Sequence, residues 1–408
     1  MEWQRLSDFR VVGRLVQSRQ SGPLSYGTLL GVGDGPWPGP VKAVDLQYQI
    51  YESGGKFDSY QTYDSVTGFQ GLLFSLFDEV TTFTPGYNLK IFRGFTSVLS
   101  ATALALIIVW FFIEFGLLSA LLSLGFMLVS EWLTLYGGSI YWQLWAFYFP
   151  MIVVAYYLAR PVQKQQIGTK TFVLSILATV VVKCLFNGFE FISTALAMLF
   201  VPLIYYAVLN HWRIGPFIKF SLSIAISALM GVFVSLGILI TQIRMNEGSW
   251  NKAVIYLFFT LGKRTFGDPV QYPEEAESLR ATVFTVLWKY MSEGRALIFS
   301  NYFTTTNPWL EKIMEPTYLM LFVTFGLFTA LFFILPRSHE ETHHKTLALV
   351  ITTWLSAFAQ LSWLVLFKAH SYIHTQLNYV IWQMPFTLFG FAMCGTIIKY
   401  LTALNFKR

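Results

Sequence analysis

Apolar runs of roughly 18 residues or more recur along this chain of 408 residues, and each is long enough to cross a hydrocarbon core of about 30 Å as a helix. In lipid, only helices and closed barrels satisfy their own backbone groups. Runs of this length, too long for barrel strands, leave an all-α, polytopic membrane protein. Composition agrees: 55% of residues are hydrophobic, 18% aromatic and only 12% charged, against about 25% charged in a soluble domain. The net charge of +6 needs no nucleic-acid partner, because basic residues collect at membrane edges. The two cysteines, Cys184 and Cys394, lie inside apolar runs and read as small packing residues rather than as a disulfide or a metal site.

Nine spans are expected, near 93–116, 117–134, 139–158, 171–187, 191–209, 217–241, 316–336, 345–367 and 380–402. The short connections alternate in charge. One set is basic, with Arg160, Lys164 and Lys170, then Arg213 and Lys219, then Arg337 and Lys345, then Lys399, Lys407 and Arg408. The positive-inside rule puts that set, and the C-terminus, in the cytoplasm. The other set has few or no basic residues: "EWLTLYGGSIYW" at 131–142 and "FNGFEFIS" at 186–193; the loop 243–315 and "HSYIHT" at 370–375 fall on the same side. These share the outer face. Nine spans with the C-terminus inside also place residues 1–92 outside, although nothing before residue 93 is apolar enough to cross. The parity therefore leads to the expectation of a tenth, N-terminal span upstream of Met1, unless 93–134 is one span rather than two.

Two regions follow: an outer segment 1–92, and a helical membrane domain 93–408 carrying the outer loop 243–315. The outer segment is expected to hold short amphipathic helices at 8–19 and 65–77. Its "GVGDGPWPGP" at 31–40 is a turn cluster, since no Lys-Ser/Thr and helix follow as in a phosphate loop. "WNKAVIYLFFTLGKR" and "LRATVFTVLWKYM" suit helices lying in the membrane interface.

Several polar groups stand where apolar residues would be cheaper. "KAHSYIHT" places Lys368, His370 and His374 in a break between apolar runs, with the two histidines four apart. They fit phosphate binding, metal ligation or a polar helix end; the Glu of a zinc-protease HExxH pattern is absent. Lys183 sits at the end of a span, either reaching toward the interface or holding a phosphate or carboxylate in a polar cavity. Glu190, seven residues on, is a possible partner for it. Glu131, Trp132, Tyr136, Tyr141 and Trp142 surround a Gly-Gly break, as an interface belt or as the wall of a sugar or lipid site. "PRSHEETHHK" at 336–345, with His339, His343 and His344, falls on the cytoplasmic side as a solvated loop. Most acidic groups of segment 1–92 read as surface residues. Asp8 and the pair Asp78–Glu79 stand near membrane borders, where a carboxylate can act as a general base.

"YDSVTGFQGLLFS", "EWLTLYGGSIYWQLWAFYFPM", "VKCLFNGFEFISTALAM" and "SWLVLFKAHSYIHTQLNYVIW" resemble a bacterial branch of the C-type (GT-C) integral-membrane glycosyltransferases. The resemblance covers most of the chain, by segment order and scattered motifs. It implies an enzyme of the bacterial inner membrane that moves a sugar from a polyprenyl-phosphate donor to a glycan, lipid or protein acceptor on the outer face. The reaction would invert the anomeric centre, and a divalent cation is optional. The family's base is a carboxylate early in the first outer segment. Asp8 in "LSDFRVVGRLVQSRQSG" matches that place, although the family often has two adjacent acids and here Phe9 and Arg10 follow. The resemblance makes Arg14, Arg19, Lys183, Lys368, His370 and His374 candidates for the carrier phosphate, and Tyr136 and Glu190 candidates for sugar or acceptor. The rival class is a transporter or lipid flippase, which the absence of an internal repeat disfavours.

Overall fold

The structure is a computed structural model that describes residues 2–34, 41–159, 169–296, 315–336, 340–375 and 379–405. Of the residues weighed above, Arg160, Lys164, Arg337, His339, Lys407 and Arg408 lie outside these ranges.

The first part of the chain is folded, not strung out as a loop. Helix α1 (Glu2–Ser21) leads through a turn at 25–28 to strand β1 (Gly31–Gly33). Helix α2 (Val41–Ser53), strand β2 (Tyr60–Thr62) and helix α3 (Phe69–Val80) follow, with β1 and β2 antiparallel. The expected helix at 8–19 is real but is not amphipathic. Val11, Val12, Leu15 and Val16 are buried, with Asp8 on their face, and Arg14 and Gln17 are buried on the other side, so α1 is a central helix packed all round. The helix expected at 65–77 begins at Phe69, because 65–68 form a turn whose Gly68 has φ 67°.

The bundle then runs α4 (Pro85–Phe115), α5 (Leu117–Val129), α6 (Glu131–Gly137), α7 (Leu144–Leu158), α8 (Thr169–Asn187), α9 (Ile192–Met198), α10 (Phe200–Leu209) and α11 (Ile214–Glu247). Three helices follow: α12 (Trp250–Arg264), α13 (Ala276–Arg280) and α14 (Val283–Ser292). The chain closes with α15 (Tyr318–Ile334), α16 (Glu340–Leu366), α17 (Lys368–Ile373) and α18 (Phe386–Asn405). Among the described residues, six helical segments are long and apolar enough to cross a membrane, or seven if the bent pair α5–α6 counts as one span; α7 and α15 are shorter apolar helices. Every one of these falls on an expected span. The ends differ because polar residues extend several helices past the apolar stretch: α4 has 31 residues, about 46 Å at ~1.5 Å per residue.

Pairing fixes which ends meet. Helix α8 packs on α11, α5 on α18, α9 on α16, and α7 on both α4 and α8. Cys184 is buried in the core shared by α7, α8, α10 and α11, and Cys394 in the main core. Leu29, from the turn after α1, is buried against Leu239, Ile243 and Ala253, which seats the N-terminal unit on α11 and α12. The outward faces of α4 and α11 carry Val98, Ile113, Ile226 and Phe233, each more than half exposed, as lipid-facing residues are. Helices form at 250–264 and 283–292, and Trp250, Phe258, Phe284 and Trp288 lie exposed on them.

A candidate site beneath the N-terminal unit

The loop between α8 and α9 reverses through Gly188 (φ 55°), where a Cβ would lie 2.6 Å from Val66 Cγ1. That loop delivers Glu190 to a buried position, 3% exposed. Helix α12 ends on Arg264, whose Nη1 donates to Glu190 Oε1 at 2.9 Å and whose Nη2 donates to Tyr63 Oη at 3.2 Å. From α17, His370 Nε2 comes to 3.3 Å from Glu190 Oε2. His374, one turn on, stands with its ring centroid 4.7 Å from that of His370. A buried ion pair persists only where its partners are close and hydrogen-bonded, and this one meets that condition. Burial by itself would raise the Glu190 pKa; Arg264 outweighs it, helped by His370 and His374, and holds the carboxyl well below its ordinary range. His374 is also driven down, to about 3, chiefly by burial and then by His370 beside it, which in its case favours the neutral form.

Asp8 has its own shell on the neighbouring side. Its Oδ1 accepts from Ser139 Oγ at 2.7 Å and from the Tyr141 amide at 3.2 Å, and its Oδ2 lies 3.5 Å from Arg93 Nη2. Ser139 belongs to the turn 138–143 that follows the Gly-Gly break. Residues 139–143 were expected to begin a span; they instead form this buried turn, and the helix starts at Leu144. Asp8 is completely buried, and burial pushes its pKa up to about 6 against the opposing pull of Ser139, Arg93 and the Tyr141 amide. Arg10 connects the two shells, lying 4.7 Å from the Tyr63 ring centroid and 5.3 Å from that of Tyr141. A chain of contacts thus runs Asp8, Tyr141, Arg10, Tyr63, Arg264, Glu190, His370, His374.

The other candidates lie elsewhere or are committed to protein atoms. Lys183 Nζ donates to the carbonyls of Gly188 (3.0 Å) and Glu190 (2.6 Å), so its partner is the Glu190 backbone and not the carboxylate. Lys368 Nζ donates to the carbonyls of Leu279 (2.6 Å) and Ala281 (2.7 Å), where α13 ends. Both ammonium groups are taken up by backbone carbonyls, those of the α8–α9 loop for Lys183 and those at the end of α13 for Lys368. Arg14 is fully buried and donates to the carbonyls of Ser25 and Pro23. Arg19 forks onto Asp78, which also accepts from Tyr51 and Asn88. Asp78 is thereby a structural carboxylate, while Glu79 is exposed. Tyr136 is buried with its ring 5.0 Å from Trp142, which stacks on Phe191 behind Glu190. At the opposite end of the bundle, His344 contacts the Val208 carbonyl and stacks on His211, and His343 lies against Phe332 and Tyr400; neither is fully exposed. Among the described residues, no three His, Cys, Asp or Glu side chains are grouped to hold a metal.

Arg264 and Asp64 were missed by the sequence reading. Arg264 was noticed only as part of a basic-aromatic helix, and nothing in "TLGKRTFG" tells which of its cations turns inward. Asp64, one of the carboxylates of segment 1–92 that read as surface groups, is 9% exposed. Both line a groove of about 390 Å³, almost wholly apolar, formed by Leu236, Leu239 and Ile240 of α11, Val254, Leu257 and Leu261 of α12, and Phe189, Ile192 and Phe367.

No family model, no curated protein and no solved structure matches the chain. The glycosyltransferase resemblance accordingly rests on the residues quoted for it.

Proposed function

We propose that the protein is a membrane glycosyltransferase that takes a sugar from a polyprenyl-phosphate carrier, with inversion, and passes it to a glycan, lipid or protein acceptor. One observation carries the reading: Arg264 belongs at once to the apolar groove and to the buried ionic cluster. An isoprenoid chain can lie along α11 and α12 while its phosphate meets the guanidinium, with His370 next to it. Cations at that place stabilise the charge a departing phosphate acquires. In this reading Asp8 is the base that takes a proton from the acceptor hydroxyl. Its pKa of about 6 leaves it ionised at neutral pH and more basic than an ordinary carboxylate. Glu190 orients Arg264 and His370. The cluster faces the outer side of a bacterial inner membrane, following the basic-loop count, with nine spans and the C-terminus in the cytoplasm.

The test is a transfer assay on purified full chain in detergent or nanodiscs, with radiolabelled polyprenyl-phosphate sugars and membrane extract as acceptor. Label passing to a glycosidic product with the wild type, at least 100-fold less with Asp8→Asn, supports class and base together. Transfer that survives Asp8→Asn removes Asp8 and keeps the class. Lipid translocation across vesicles without any product replaces the reading with a flippase.

A further inference from the structure

The groove that ends at Arg264 holds a second charged residue with an unmet need. Asp64 follows Tyr63, the residue whose hydroxyl accepts from Arg264. It is buried, it lines the same groove, and its Oδ1 has no hydrogen-bond partner among the described residues. A buried carboxylate oxygen with no donor is costly, and nine-tenths burial in an apolar groove keeps water from supplying one cheaply. The groove walls offer little: their polar groups are Ser65, whose hydroxyl pairs with Tyr256 at 3.2 Å, Thr260 and Arg264, already held by Glu190 and Tyr63. Burial raises the Asp64 pKa, a hydrogen bond with the Thr62 side chain pulls it back in part, and Glu247, of the same sign, raises it further. One groove thus presents a guanidinium for an anion and, from the adjoining residue of its own partner Tyr63, a carboxylate oxygen without a donor, Asp64 Oδ1, for a cation.

We propose that the lipid phosphate entering this groove carries a primary ammonium group in its head, and that Asp64 is the residue that selects for it. Within the glycosyltransferase reading, on which the identity of the carrier rests, the donor sugar is an amino sugar with a free amine. The tail lies on Leu236, Leu239, Val254 and Leu257, the phosphate meets Arg264, and the ammonium donates to Asp64 Oδ1. An N-acetylated or hydroxyl-only sugar brings a weaker donor and no charge. The same chemistry occurs in phosphatidylethanolamine, so the test includes it.

The experiment is binding, not turnover, read by native mass spectrometry and competition on the full chain in detergent. The probes are bare polyprenyl phosphate, the same carrier bearing an amino sugar, the carrier bearing the corresponding neutral sugar, phosphatidylethanolamine and phosphatidylcholine. The wild type is expected to prefer the amino-sugar carrier over the neutral one by about tenfold or more, a preference falling to about onefold in Asp64→Asn. Binding of bare polyprenyl phosphate is expected to be unchanged in that variant. Asp64→Asn removes a buried charge whose Oδ1 has no donor and keeps an oxygen for Thr62, so its melting temperature should not fall; Asp64→Glu, which keeps the charge, should retain part of the preference. Equal binding of amino and neutral carriers by the wild type, or a preference surviving Asp64→Asn, overturns the inference while leaving the transferase reading intact. Preference for phosphatidylethanolamine over phosphatidylcholine with no binding of any polyprenyl phosphate keeps Asp64 as the selector and overturns the transferase. Binding of none of the probes overturns both.

Discussion

Arg264 and Glu190, 74 residues apart in the chain, meet at 2.9 Å where the last turn of α12 closes over the α8–α9 loop. Their side chains are only 13% and 4% exposed, so each is the main compensation for a charge the other could not bury alone.

Truncating one partner should therefore be severe. Arg264→Met leaves Glu190 with only His370 and should destabilise the protein by about 3–5 kcal/mol. The double variant Arg264→Met, Glu190→Leu should cost clearly less than the sum of the two single changes, because the second removes the stranded charge. Unfolding followed by scanning fluorimetry and chemical denaturation in one detergent measures all three. Additive costs would show the pair to be uncoupled.

Lys183 gives the contrasting case. It holds two loop carbonyls, so Lys183→Met should lower stability by about 1–3 kcal/mol, the range for orphaned buried acceptors. Affinity for a polyprenyl phosphate, measured on the folded fraction below its melting temperature, should change less than threefold. A tenfold loss of affinity in a protein that is still folded would restore Lys183 to the list of ligand contacts.

Asp8 predicts a pH signature. Its pKa in the folded chain is raised, from 3.8 to about 6, so folding favours the protonated form. The associated stability is fully present below about pH 4 and is lost as pH rises through about 6, on the order of 3 kcal/mol by then. Asp8→Asn should accordingly melt higher relative to wild type at pH 7.5 than at pH 4. An unchanged difference across that window would mean that Asp8 is not buried as an acid. If Asp8 is the base, transfer by the wild type should fall as pH drops below about 6.

His374 has the opposite sign. Its folded pKa is depressed from 6.5 to about 3 by burial and by His370, so its contribution is present above about 6.5 and is lost as pH falls toward 3. Relative to His374→Gln, the wild type should therefore lose stability between pH 7 and pH 4. NMR titration of the His374 ring carbon checks the same point directly: a midpoint near 6.5 would contradict burial of the neutral ring.

The apolar helices were legible because the bilayer imposes a length and a polarity that each segment must meet by itself, although only six or seven of the nine expected spans are long and apolar enough to cross among the described residues, and 139–143 is a turn. Glu190, His370 and His374 were legible for a related reason: polar groups in cheap apolar surroundings announce themselves. What local pattern could not supply was partnership. Lys183 and Lys368 looked like phosphate ligands, and only the packed loops show carbonyls already occupying their ammonium groups. Asp8 was found, but its shell of Ser139, Tyr141 and Arg93 comes from segments 85 to 133 residues away. Arg264 and Asp64 carried no local signal, since an Arg closing an amphipathic helix and an Asp before a turn are ordinary at any surface. The amino-acid sequence alone determined that the chain is a helical membrane protein and where its helices run, because hydrophobic burial in lipid is decided segment by segment. Which charges face one another, and which are left without a partner, was decided only when α1, α12 and α17 converged on the α8–α9 loop, because ion pairing depends on distances that distant parts of the chain set together.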